Sequence, residues 1–154
     1  MTTTFEEELA RSGRLVYRNV GRSMLPLLRE NRDLIVIEPI DFQALCRFDV
    51  VLFRRFDVQS RGTYVLHRIL RRCRDGRYWI VGDNCAEGEY VVPEQILGKM
   101  TALQRGKKTI QVSDPAYRLF VLLWCVPWPL RFIMLRFLRR CCRTVYRLYR
   151  ITRG

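Results

Sequence analysis

Apolar and polar positions alternate over short stretches through most of the first 113 residues. Runs rich in β-branched, aromatic and aliphatic residues recur at 15–20, 34–37, 49–54, 63–70, 78–81, 90–92, 96–103 and 109–112. Short runs of this kind, broken by turn residues, mark strands. Pro39 closes the second run, and Asp75-Gly76 ahead of 78–81 is a hairpin signal. One segment departs from this rhythm. Thr4 and Glu7 have capping-box spacing, so a short helix is expected from Phe5 to about Ser12, stopped by Gly13. Many short strands with no long helices between them predict a mainly β fold with a coiled or barrel-like sheet rather than βαβ units.

The pattern changes after residue 113, which divides the chain into a β domain (1–113) and a tail (114–154). Residues 119–130 are apolar and aromatic, interrupted by Pro127 and Pro129. Arg136, Arg140, Arg143, Arg147 and Arg150 then recur at spacings of four and three. Leu138, Cys141, Val145 and Leu148 recur on the opposite side, which describes an amphipathic helix with an arginine face. The apolar run is shorter than the roughly 20 uncharged residues a spanning helix requires. The expectation is an interfacial helix on anionic lipid, with Trp124, Trp128, Tyr146 and Tyr149 at the headgroup level. The plainer alternative is a helix packed on the β domain with its arginines in solvent.

Composition narrows the picture. The chain has 154 residues, enough for one core, and 49% hydrophobic content argues against disorder. The formal net charge is +13, and the tail, with nine arginines against one aspartate, supplies +8 of it. Such a charge calls for something anionic: phospholipid, nucleic acid or an acidic partner. No helix-turn-helix or zinc-finger pattern accompanies it, so an anionic membrane surface is the expected partner and nucleic acid is not. The six cysteines show no Cys-x-x-Cys spacing and there is one histidine, so no metal or other cofactor is expected. The opening Thr2-Thr3-Thr4-Phe5-Glu6-Glu7-Glu8 does not read as a secretion signal. Reduced thiols are the expectation, with a peripheral position on the cytoplasmic face of a membrane or a place in the membrane itself.

Candidate chemistry rests on two segments. Gly21-Arg22-Ser23-Met24-Leu25-Pro26 places a serine in a tight turn, after a glycine that permits unusual backbone and before a proline that stops an ordinary helix. Tyr64-Val65-Leu66-His67-Arg68-Ile69-Leu70 places the only histidine inside a strand-like run. A serine hydroxyl becomes a useful nucleophile when a base takes its proton. An imidazole in water titrates near about 6.5, which suits a base at neutral pH. The plainer readings are a turn serine and a satisfied histidine on a sheet face.

Two further boxes accompany them in order: Trp79-Ile80-Val81-Gly82-Asp83-Asn84, and Val92-Pro93-Glu94-Gln95-Ile96-Leu97-Gly98-Lys99-Met100. Together the four boxes, over residues 14–103, resemble the LexA-like and type I signal peptidase superfamily of serine peptidases. Histidine at the base position is similar to the endoplasmic-reticulum-type and archaeal signal peptidases; bacterial relatives carry lysine there. The resemblance implies a serine endopeptidase with Ser23 as nucleophile, His67 as general base and the Ser23 backbone N–H holding the oxyanion. Asp83 ranks first as the group that orients His67. Glu89 is the alternative, since the assisting acid of those relatives lies several residues beyond the Gly-Asp-Asn box, although they use aspartate. Gly21, Met24 and Pro26 are expected to shape a cleft for a peptide or protein substrate, with Met24 as a core plug the alternative. Substrate would bind as an added strand at a sheet edge, with small side chains before the cut. Two other classes remain open: an inactive peptide-binding relative, and a basic membrane- or nucleic-acid-binding module.

Overall fold

A computed structural model of the chain describes residues 4–57 and 60–151, and the side chains among them except those at 57, 60, 61, 139 and 144–151. The N-terminal helix α1 (Phe5–Ser12) forms as its capping box dictates. The Glu7 N–H donates to Thr4 Oγ1 at 3.2 Å, and the Thr4 N–H donates to Glu7 Oε2 at 3.0 Å. Gly13 ends the helix in the left-handed region at φ 69°, donating its N–H to the Leu9 carbonyl.

The rest of the β domain is one antiparallel sheet of eight strands: β1 (Leu15–Arg18), β2 (Asp33–Glu38), β3 (Val50–Asp57), β4 (Ser60–Arg72), β5 (Tyr78–Val81), β6 (Gly88–Val91), β7 (Ile96–Arg105) and β8 (Lys108–Gln111). Their order is β1-β2-β7-β3-β4-β5-β6. Strand β7 is the branch point. Its first half pairs with β3 over Ile96–Lys99, its second half with β8 over Ala102–Arg105, and its other edge with β2. Register shifts at Val36/Ile37, Leu52/Phe53, Arg55/Asp57 and Ile69/Arg71 let the sheet bend. Among the described residues the pairing path has β1 and β6 at its two ends.

Alternate residues of the central strands feed two cores. Val50, Leu52 and Leu66 pack with Leu9, Met24, Leu28, Ile35 and Met100, while Val51, Phe53 and Ile69 pack with Tyr78, Ile80 and Val91. This alternation follows from side chains projecting to opposite faces at successive strand positions.

The tail is helical: α2 (Pro115–Phe120), a π-helical segment (Val121–Cys125) and α3 (Trp128–Ile151). The first turns of α3 dock on the β domain, where Trp128 and Phe132 meet Trp79 edge-on at 5.2 and 5.9 Å. Trp128 is half-buried, with one edge of its ring against Trp79 of β5. The backbone of α3 carries the arginine repeat as a helix, while the side chains of Val145, Arg147, Leu148 and Arg150 fall outside the described residues. Among the described residues no single helix is long and apolar enough to cross a membrane. The bent pair Pro115–Cys125 and Trp128–Arg143, 65° apart, reaches that length and composition only together.

Candidate active site

Strand register sets up the site. In the β4–β5–β6 ladder, Ile69 lies opposite Ile80 and Ile80 opposite Glu89. His67, two residues before Ile69, projects to the same face as Ile69 and hence as Glu89. His67 Nδ1 lies 3.5 Å from Glu89 Oε1, an ion-pair distance rather than a close hydrogen bond. Glu89 is held from its other side by Arg55 of β3, whose Nε donates to Oε2 at 2.7 Å and whose Nη2 meets Oε1. Burial raises the Glu89 pKa, but the neighbouring His67 and the Arg55 guanidinium outweigh it and bring the carboxyl down to about 2.

The other ring nitrogen faces the serine turn. Gly82 follows β5 directly opposite the histidine. A methyl group placed there would stand 2.7 Å from the Ser23 carbonyl oxygen, 2.9 Å from Cys85 Sγ and 3.0 Å from His67 Nε2. The absent side chain is what lets the serine turn and the imidazole approach each other. Asn84 then fastens the turn: its N–H donates to the Ser23 carbonyl at 2.7 Å and its Nδ2 to the Arg22 carbonyl at 3.2 Å. Gly21 has φ 92°, its N–H donates to Glu30 Oε1 at 3.2 Å, and its carbonyl accepts from Asn19 Nδ2.

Ser23 and His67 line a common cleft of about 820 Å³. Tyr17 and Arg18 of β1, Asn19 and Val20 just beyond it, and Thr63 to His67 of β4 are among its lining, together with Phe5 of α1, which stacks on Tyr64 at 4.5 Å. Val20, beside Ser23 in the lining, is 78% exposed.

The expected residues are only partly brought together. Asp83, ranked first to orient His67, is turned to the opposite face of the sheet, where it is wholly buried against Arg68 at 2.8 and 2.7 Å. The reason is strand parity: Gly82 is opposite His67, so the next residue points the other way. Glu89 occupies the position beside the imidazole instead. Met24 is 1% exposed in the core and Pro26 is exposed, and neither they nor Gly21 belong to the cleft lining. Gly21 acts on the site through the backbone of the turn, and Met24 plugs the core beneath it.

Arg55, Cys85 and the aromatic wall of Phe5, Tyr17 and Tyr64 were not legible as site residues. For Cys85 a signal existed, its place immediately after Gly82-Asp83-Asn84. Arg55 had none, because its role depends on β3 and β6 flanking the same face. Among the described residues no group of three or more His, Cys, Asp or Glu side chains could hold a metal ion. Comparison of the chain with protein-family models, with curated proteins and with solved structures finds no match.

Proposed function

We propose that the chain is a serine endopeptidase of the signal-peptidase and LexA-like kind, with a histidine base. The observation that carries this reading is the polarity of His67: Nε2 faces the Ser23 turn across Gly82, and Nδ1 faces the ionised Glu89. An imidazole with one nitrogen toward a serine turn and the other toward a carboxylate is arranged to take a proton from that serine while the carboxylate orients the ring.

The chemistry follows in two halves. Ser23 Oγ attacks the scissile carbonyl carbon as its proton passes to His67 Nε2, and Glu89 stabilises the imidazolium. The oxyanion takes a hydrogen bond from the Ser23 backbone N–H. The C–N bond breaks and His67 returns the proton to the leaving amine. Water, deprotonated by the same nitrogen, then cleaves the acyl ester and restores the serine. The substrate lies extended between the end of β1 and β4. The free edge of β1, the last strand of its ladder, supplies main-chain partners.

The test is cleavage of a small peptide library that includes Ala-x-Ala sites, in detergent and with anionic vesicles, by the wild type, Ser23→Ala and His67→Ala. The expected result is cleavage by the wild type and a loss of roughly 10³-fold or more in each variant. Cleavage that survives Ser23→Ala overturns the nucleophile assignment. Peptide binding without turnover in the wild type overturns the enzymatic reading and leaves a peptide-binding protein.

A further inference from the structure

We propose that the bent helical segment 119–138 inserts its outer, uncharged face into one leaflet of an anionic lipid bilayer. Nine large apolar residues in this segment are exposed, from 41% at Met134 to 69% at Leu130. Leu119, Leu122 and Leu123 before the bend, and Leu130, Ile133 and Phe137 after it, recur at helical spacings of three and four within each helix. The opposite stripe is already covered: Cys125, Phe132 and Leu135 are buried, Phe132 against Leu70 and Val81 of the sheet. Contiguous apolar exposure on this scale marks an interaction surface.

Charge placement says what covers it. Within 119–138 the only charged residues are Arg131 and Arg136. Arg131 is 3% exposed and turned inward, 3.8 Å from Asp83 Oδ1 and donating to the Trp124 carbonyl at 3.3 Å. Arg136 donates to the Ala86 carbonyl at 3.4 Å. The outer stripe is thereby free of charge although arginines interrupt the segment. Residues 139–153 then add six arginines, and no acidic residue occurs anywhere from 115 to 154. A second copy of this chain would bring arginine against arginine, and a nucleic acid offers phosphate but no apolar phase. An anionic leaflet presents hydrocarbon beneath a plane of negative headgroups, matching both halves of the pattern.

Neither helix of the bent pair is long and apolar enough to cross a bilayer by itself. Pro115–Cys125 is eleven residues, about 16 Å of helix, and the chain then bends by 65°. The hydrocarbon core is about 30 Å thick.

The test is co-sedimentation of the full chain with vesicles of phosphatidylcholine alone and of phosphatidylcholine with phosphatidylglycerol. The comparison is with a Leu123→Asp, Leu130→Asp, Ile133→Asp variant, whose positions are exposed and whose thermal unfolding should match the wild type. The wild type is expected to pellet with the phosphatidylglycerol vesicles and more weakly at about 1 M salt, where the screening length is about 3 Å. The triple variant is expected to lose at least about tenfold in apparent affinity. Wild-type affinity in the triple variant overturns the proposal. So does a dimer in solution that the triple variant dissociates and vesicles do not, which would show that a second copy covers the face. Binding is read without substrate, so either result leaves the peptidase reading untouched.

Discussion

Asp83 gives both carboxylate oxygens to Arg68, at 2.8 and 2.7 Å, in a pair with no solvent exposure on either side chain. Arg68 continues to the Phe48 carbonyl at 2.7 Å and the Tyr117 hydroxyl at 3.1 Å, and the Asp83 carbonyl accepts from Trp124 Nε1 at 3.2 Å. Burial opposes the charge on Arg68, and the attraction of Asp83 more than offsets it, so its pKa lies above the ordinary value. The pair ties β4 to the tail and holds one end of the loop that carries Asn84.

Removing one partner of such a pair leaves a buried, uncompensated charge and typically costs about 3–5 kcal/mol. Asp83→Asn is therefore expected to lower the melting temperature on the order of 10 °C. Calorimetry checks this. An unchanged melting temperature with lost peptide cleavage would instead place Asp83 in the chemistry.

Arg131 should behave in the opposite way. It approaches the same carboxylate only at 3.8 Å, and its Nε and Nη2 are buried without a hydrogen-bond partner among the described residues. Its desolvation is poorly offset, so Arg131→Met is expected to change stability by less than about 1 kcal/mol or to raise it. A loss as large as that of Asp83→Asn would contradict this account.

Glu89 predicts a pH signature. Its carboxyl is held down to about 2 in the folded chain, against 4.5 as the reference value. A depressed carboxylate contributes stability that is fully present above about pH 4.5 and is lost as pH falls toward 2. The difference between thermal melts of the wild type and Glu89→Gln should be smaller at pH 3 than at pH 6 and close only as pH approaches about 2. In the peptidase assay the same variant is expected to lose on the order of tenfold or more in kcat/KM, and Glu89 itself should not titrate across the neutral range. Equal kcat/KM in variant and wild type would remove Glu89 from the site.

Gly82→Ala tests the approach of Ser23 and His67. The added methyl would sit 2.7 Å from a backbone oxygen, which cannot swing aside as a side chain can. The turn and the imidazole must separate, and a displacement of about 1 Å at a reacting pair can cost about 100-fold in rate. Retention of full peptide cleavage, measured as kcat/KM, would contradict this placement.

Most strands were readable because their cause is local. The runs at 78–81 and 96–103 match β5 (Tyr78–Val81) and most of β7 (Ile96–Arg105), where apolar side chains at short spacing are enough to mark a strand. The capping box at Thr4 and Glu7 and the stop at Gly13 were readable for the same reason. The branching of β7 was not, since pairing one edge with both β3 and β8 is a property of three distant segments.

The candidate site divides along the same line. Ser23, His67 and the Gly82-Asp83-Asn84 box were visible as residues in order along the chain. The roles of Asp83 and Glu89 were not, because they depend on which face of the sheet each side chain takes. A one-residue difference in a strand exchanges the faces. Met24 was ambiguous between cleft and core until the turn was packed on Leu28 and Met100.

The sequence by itself determined the elements, the basic tail and the residues available for chemistry, because period, capping and charge are properties of near neighbours. The tertiary structure decided which carboxylate faces the histidine and which stripe of the tail is left uncovered. Those outcomes depend on register across β4, β5 and β6 and on the rotation of α3 against Trp79. Register and rotation are set by packing between segments far apart in the chain.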